Sequence, residues 1–208
     1  MSSYCHHKNR RKKILYRVLA GTLIFLFIIG LAVLITWAIL KPKNPRFILQ
    51  DASLYAFNVT SNPTLLTTNF QLTISSQNPN GKVGIYYDKL HVFATYRSQQ
   101  ITYYTTLPSN YQDHKEVNLW SPFVYGTNVP VAPYNGLALS QDQFNGAIWM
   151  MVKINGRVRW RVGSITTGSY NIHVTCPAYI PFGNSNAGLT IVGGAVKYQL
   201  STNCAVSL

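Results

Sequence analysis

Asp113 and Glu116 are the only acidic residues near enough in sequence to act as a carboxylate pair, in a chain with five Asp and Glu in all. Paired carboxylates could do general acid–base work, but a polar loop accounts for this pair. His91, His114 and His173 lie apart, and His173 alternates with Ile172 and Val174, which turns it away from an apolar strand face. No Gly-x-Ser-x-Gly elbow, phosphate-binding glycine loop or His-Glu-x-x-His pattern occurs. The three cysteines form no Cys-x-x-Cys and no zinc-spaced Cys/His cluster. We therefore expect no catalytic residue, no metal and no cofactor; enzyme is the least favoured class.

The strongest chemical signal of the outer domain is cationic. Ile148, Met150, Val152 and Ile154 lead into Asn155-Gly156, and Val158, Trp160 and Val162 follow. Asn-Gly predicts a hairpin here. A three-residue loop with Gly156 left-handed in a bulge keeps Ile148, Met150, Val152, Val158, Trp160 and Val162 on one face, since a one-residue slip would flip every side chain. Lys153, Arg157, Arg159 and Arg161 then share the opposite face, with Trp149 in reach of a cation–π contact to Arg161. Two readings follow: a solvated face, or a docking face for anionic partners, either lipid headgroups or acidic polysaccharide. Asn155-Gly156-Arg157 also resembles a short adhesion tripeptide, but the turn explains its Asn and Gly.

The elements that must carry these residues are strands. Phe70, Leu72 and Ile74; Leu90, Val92, Ala94 and Tyr96; Tyr170, Ile172, Val174 and Cys176; and Val196, Tyr198 and Leu200 each alternate with polar neighbours. Turn signals at Asn78-Pro79-Asn80-Gly81, Pro108-Ser109-Asn110, Asn135-Gly136 and Gly193-Gly194 separate such runs. Short strands with frequent turns predict an all-β, two-sheet sandwich over residues 47–208.

Before that domain the sequence changes character. Val18 to Leu40 holds no charged residue, and 23 helical residues reach roughly 34 Å, enough for a hydrocarbon core of about 30 Å. A cleaved signal peptide is the rival, but its apolar region is typically about 7–15 residues. We expect a basic tail at 1–17, one transmembrane helix at 18–40 and a linker at 41–46. Lys8, Arg10, Arg11, Lys12, Lys13 and Arg17 precede the span, against Lys41, Lys43 and Arg46 after it. The larger cluster predicts a cytosolic N-terminus, with anionic lipids as its partner. Of 18 Lys and Arg, nine lie in residues 1–46 with no acid, and nine accompany all five acids afterwards. The outer domain is thus only mildly basic, and nucleic acid is not an expected partner. Only 11% of residues are charged, where about a quarter is usual for a soluble domain.

Cys5 falls on the cytosolic side, which leaves Cys176 and Cys204 to meet outside, as a disulfide or as two buried free thiols. Asn58-Val59-Thr60 is the single glycosylation sequon, because Pro63 spoils Asn62.

Several motifs then occur in order. Asn78-Pro79-Asn80, five residues, and Tyr86-Tyr87-Asp88 resemble the signature of the plant harpin-induced and non-race-specific-disease-resistance-like family. Tyr111-Gln112, His114-Lys115, Val129-Pro130-Val131-Ala132-Pro133 and Gly156-Arg157-Val158-Arg159-Trp160 are similar to further family motifs, and so is the Cys176/Cys204 pair. Asp113 departs from the family, which usually has Gly there. The resemblance implies a group 2 late-embryogenesis-abundant sandwich with one short helix. It also implies a plant plasma-membrane protein of immunity and stress, with plasmodesmata or other secretory membranes as alternative sites. Such a protein would act without catalysis, through protein contacts in defence signalling and membrane–wall attachment. The alternative function is a membrane-proximal lipid-binding module. The Asn78-to-Tyr87 signature itself could specify fold as readily as binding, because Asn-Pro-Asn-Gly is a good turn.

Overall fold

The computed structural model describes residues 3–40, 42–61, 64–181 and 196–208. They divide into two compact units, Met1–Lys41 and Pro42–Leu208. The first is one helix, α1 (Ser3–Leu40), which begins well before the expected span and runs through the basic cluster. Its 21-residue apolar stretch, Leu15–Ile35, is long enough to cross a bilayer, and Leu19, Phe25, Phe27 and Leu34 in it are exposed. The side chains of Lys8, Arg10, Arg11, Lys12 and Lys13, residue Lys41 and the Gly193-Gly194 turn signal lie outside the described residues.

The second unit contains β1 (Arg46–Ser61), β2 (Thr64–Gln77) and β3 (Gly84–Tyr96). Short strands follow: β4 (Gln99–Gln100), β5 (Thr105–Leu107), β6 (Asn110–Gln112) and β7 (Val117–Trp120). Then come β8 (Phe123–Pro130), helix α2 (Pro133–Asn145), β9 (Ala147–Val162), β10 (Ile165–Thr166), β11 (Tyr170–Pro181), β12 (Val196–Asn203) and β13 (Ala205–Ser207). Among the described residues these strands form two antiparallel sheets. The smaller runs β12-β1-β2, with β7 and β8 side by side on the far edge of β2. The larger runs β13-β11-β9-β3, with β4, β5 and β6 along the far edge of β3 and β10 on the end of β9.

The period-two runs fill the space between the sheets. Phe70, Leu72 and Ile74 of β2 face Leu90, Val92 and Ala94 of β3 and Ile172, Val174 and Cys176 of β11 across one buried cluster. Burying each large apolar side chain contributes roughly 1.5–3 kcal/mol. Rings cross the gap where Phe47 of the smaller sheet meets Tyr87 of the larger at 6.2 Å and Trp120 meets Tyr87 edge-on at 5.5 Å. In β1 the phase slips twice. Phe47 and Leu49 point inward, then Ala52 and Leu54, then Phe57, because bulges follow Leu49 and Leu54.

Two local expectations are corrected. Residues 147–162 are no hairpin: β9 runs unbroken, paired with β3 on one side and β11 on the other. Ile148, Met150, Val152, Ile154, Val158 and Trp160 are buried on one face simply because their even numbering is never interrupted. Gly156 occupies an inward position where a Cβ would collide with the carbonyl oxygen of Lys89 and the side chain of Leu90. Its glycine marks a close approach of backbones and not a turn. Asn135-Gly136 is likewise not a loop but the first turn of α2, where both amides bond the carbonyl of Ala132 at 2.9 Å. Pro133 opens that helix, whose first-turn geometry its fixed φ suits, and left-handed Gly146 (φ 74°) closes it.

Candidate functional site

Two groups of polar residues meet at β3, one turned inward and one outward. Tyr87 points into the core while its neighbours Tyr86 and Asp88 alternate to the outer face, and Lys89 also stays outside because the register against β9 shifts between Tyr87 and Lys89.

The inward group is a closed hydrogen-bond network. The Tyr87 hydroxyl donates to Gln112 Oε1 at 2.9 Å and lies 2.8 Å from Ser76 Oγ. Gln112 Nε2 donates to the carbonyls of Ser76 (2.7 Å) and Glu116 (3.0 Å). Burial pushes the Tyr87 phenol far above its ordinary range, so it stays protonated as a donor. Asn78, fully buried, donates to the carbonyls of Val83 (2.8 Å) and Asp113 (3.0 Å) and accepts from the backbone and side-chain nitrogens of Asn80. Asn80 in turn accepts from the Lys43 amide at 2.8 Å and donates to the Lys43 carbonyl at 2.9 Å. Pro79 contributes its carbonyl to Lys115 Nζ (2.9 Å). Asn78, Asn80 and Tyr87 thus hold loops and strands together. Asp113, in place of the family's Gly, needs no left-handed backbone; the positive φ in that loop falls on Lys115 (62°).

The outward group pairs the acid and the ring of the same motif with the basic face of β9. Arg159 grips Asp88 through Nε and Nη2, at 3.0 and 2.6 Å, and this partner raises its pKa further. Arg161 donates to the Tyr86 hydroxyl (2.8 Å) and the Gly163 carbonyl (2.9 Å), with its guanidinium 5.5 Å from the Tyr111 ring. Burial, and then Asp113, raise the Tyr111 pKa. Trp149 is not the partner of Arg161. It sits near the other end of the same strand and tilts against Tyr179 at 6.0 Å. Lys153 and Arg157 lie on the outer face with these two arginines but make no ion pair among the described residues. The Asp88–Arg159 and Tyr86–Arg161 pairs escaped sequence reasoning, although Tyr-x-Asp and Arg-x-Arg spacing on adjacent strands is the signal that could have found them.

Cys176 of β11 and Cys204 are joined by a disulfide with Cα atoms 4.3 Å apart. Cys204 lies where the chain leaves the smaller sheet at Asn203 and enters the larger at Ala205, and its amide bonds the Phe47 carbonyl at 3.0 Å. Asn58 is exposed on β1, opposite Thr67 of β2. Among the described residues no group of three or more His, Cys, Asp or Glu could hold a metal ion. Among the described residues several hollows open to the surface. One of about 330 Å³ is lined by Trp149, Pro177, Tyr179, Pro181, Tyr198 and Leu200, and another of about 310 Å³ by Lys82, Tyr111, Asp113, His114 and Arg161.

A two-sheet sandwich with one short helix, whose signature residues are engaged in holding its own loops, defines the late-embryogenesis-abundant class, and residues 73–176 match the family described as late embryogenesis abundant protein. The chain is 55% identical to NDR1/HIN1-like protein 1 of Arabidopsis thaliana over 98% of each sequence. It is 52% identical to NDR1/HIN1-like protein 12 of the same plant over 88% of this chain and 87% of that one, and 42% identical to NDR1/HIN1-like protein 26 over 84% and 81%. The chain therefore belongs to the NDR1/HIN1-like family.

Proposed function

We propose that this is a non-enzymatic plant stress and defence protein, anchored in the plasma membrane by α1 with its N-terminus cytosolic, whose sandwich makes protein and wall contacts outside. Family membership supports the stress and defence role, and the apolar stretch of α1 supports the anchor. In this topology Cys176–Cys204 sits in an oxidising compartment, Asn58 carries a glycan, and the cluster Lys8, Arg10, Arg11, Lys12, Lys13 and Arg17 meets anionic lipid headgroups.

One observation carries the assignment of binding to the outer face of the larger sheet. The motif residues Asn78, Asn80 and Tyr87 are consumed in internal bonds, whereas β9 turns Lys153, Arg157, Arg159 and Arg161 outward. Lipid uptake into the sandwich is the less favoured reading, since Phe47, Phe57, Phe70, Tyr87 and Trp120 fill the space between the sheets.

Protease protection on sealed microsomes, with the glycan state of Asn58 read on the same gel, tests the topology. A protected and endoglycosidase-sensitive sandwich is expected; a digested, unglycosylated one overturns it. Attachment is tested by retention of the protein at the wall in plasmolysed cells, and free retraction with the protoplast would refute the wall contact.

A further inference from the structure

Every carboxylate side chain in the sandwich is already engaged. Asp51 pairs with Lys197, Asp88 with Arg159 and Asp113 with His114; Glu116 accepts from the Asp113 amide, and Asp142 accepts from the Tyr96 hydroxyl. These five are all the Asp and Glu in the chain. Three cations in the middle of the larger sheet's outer face are left with no counter-ion among the described residues: Lys89, Lys153 and Arg157.

The register places them together. Lys89 of β3 is directly opposite Arg157 of β9, and both are exposed. Like charges directly opposite one another destabilise a sheet, so this pair costs stability unless something neutralises it. The neighbouring row runs His91–Asn155–His173 across β3, β9 and β11, and the next places Lys153 beside Thr175. Three cations and two histidines thus occupy three adjacent rows of three strands. The strands are about 4.8 Å apart and alternate residues along each about 6.7 Å apart, which gives an extended, flat array.

We infer that this array binds a linear carboxylated polysaccharide. Charge complementarity selects a polyanion. Asn155 lies between Arg157 and Lys153 on β9, Asn171 and Thr175 flank those two on β11, and Thr106 flanks His91 on β5; these amides and hydroxyls suit a polymer rich in hydroxyl groups. These three rows hold no exposed aliphatic side chain to enter a bilayer, and Phe93, beside Lys153, is buried. Tyr104, 60% exposed and packed edge-on against His91 and Phe93, offers a ring at the margin for a sugar face.

His91 Nδ1 lies 3.1 Å from Thr106 Oγ1 and His173 Nδ1 lies 3.0 Å from Asn155 Oδ1. From β3 the facing charged groups are Lys89 and, beyond it, Asp88 held by Arg159. From β9 they are Lys153 and Arg157. On β13, Ser207 lies opposite His173.

The inference rests on the wall-contact reading above and names its ligand class. The test uses the full-length protein in phosphatidylcholine nanodiscs and measures binding to immobilised polygalacturonate at fixed pH and ionic strength. Fully methyl-esterified polygalacturonate and phosphatidylserine vesicles are the comparison ligands. The basic cluster of α1 is common to all variants and cancels between them. Lys89→Gln/Lys153→Gln/Arg157→Gln, with an unchanged circular dichroism spectrum, should bind about tenfold more weakly. Equal binding to the methyl ester, a triple variant that loses more capture by phosphatidylserine vesicles than binding to polygalacturonate, or an unaffected triple variant would overturn the inference. If polygalacturonate binding fails while wall retention in plasmolysed cells persists, this ligand is wrong and the wall-contact reading stands.

Discussion

Asn80 satisfies both backbone polar groups of Lys43: the Lys43 amide donates to Asn80 Oδ1 at 2.8 Å, and Asn80 Nδ2 donates to the Lys43 carbonyl at 2.9 Å. The two residues are 37 positions apart, so one side chain fixes the entry of the chain into the sandwich. Asn78 orients that side chain by accepting from both of its neighbour's nitrogens. The Asn-Pro-Asn signature is therefore a clamp on the entering segment. A turn alone would not require Asn at both positions.

Replacing Asn80 should consequently cost more than loss of an exposed turn residue. Asn80→Ala leaves the Lys43 amide and carbonyl without their partner, and we expect a loss of about 2 kcal/mol. Asn80→Asp keeps the volume but puts a carboxylate oxygen against the Lys43 carbonyl and Asn78 Oδ1, so it should be worse than Ala. Urea denaturation of the two variants checks the order; Asp equal to wild type would show that the clamp carries no stability.

Gly156 gives a second, sharper case. Gly156→Ala forces a Cβ into the Lys89 carbonyl and Leu90, both on the neighbouring strand, and backbone cannot yield as a flexible side chain would. We expect a loss on the order of 3 kcal/mol, the upper range for overpacking. Gly168→Ala meets nothing within 4 Å and lies in no left-handed conformation, so it should fall within about 0.5 kcal/mol of wild type or stabilise slightly. A midpoint shift for Gly156→Ala no larger than that for Gly168→Ala would refute the close-approach explanation.

These two residues also show how far the sequence could be read. The alternation of Phe70, Leu72 and Ile74, or of Ile172, Val174 and Cys176, announces a strand because one face is apolar and the other polar throughout. The same signal in β9 is equally clear, yet Asn155-Gly156 makes it look like two strands. A glycine required by a neighbour's backbone and one required by a turn are the same letter, and only the partner strand tells them apart. In β1 the bulges break the period, so Phe47, Ala52 and Phe57 share a core that no single phase predicts. The basic face is legible as a stripe. Its division into engaged and unengaged cations is not, since that depends on Asp88, 71 positions from Arg159.

The disulfide closes a junction between sheets. Val196–Asn203 pairs with β1 in the smaller sheet and Ala205–Ser207 with β11 in the larger, and Cys204 is the residue between them. Linking it to Cys176, 28 positions earlier, limits the freedom of the unfolded chain and ties down the last strands. Cys176→Ser/Cys204→Ser should lose about 3–4 kcal/mol, visible as a lower urea midpoint that no longer responds to dithiothreitol. Wild-type protein whose midpoint is also insensitive to dithiothreitol would contradict this.

Alkaline pH offers a prediction with a definite sign. Tyr96 is only 2% exposed and donates to Asp142 Oδ2 at 2.6 Å, tying β3 to α2. Burial first, and then the neighbouring carboxylate, push its pKa up to about 12 from the ordinary 10.0. The folded state therefore holds this proton more tightly than the unfolded chain. Its contribution is fully present below pH 10 and is lost as pH rises through about 12. Other tyrosines and lysines titrate in the same window, and Tyr96→Phe isolates this residue from them. The variant should lose about 1–2 kcal/mol at neutral pH, because Asp142 loses its donor, while its stability declines less steeply than wild type between about pH 10 and 12. Urea midpoints of both proteins across that interval decide the matter. Parallel declines would mean that the Tyr96 proton is held no more tightly in the fold than out of it, and that the β3–α2 contact rests on packing alone.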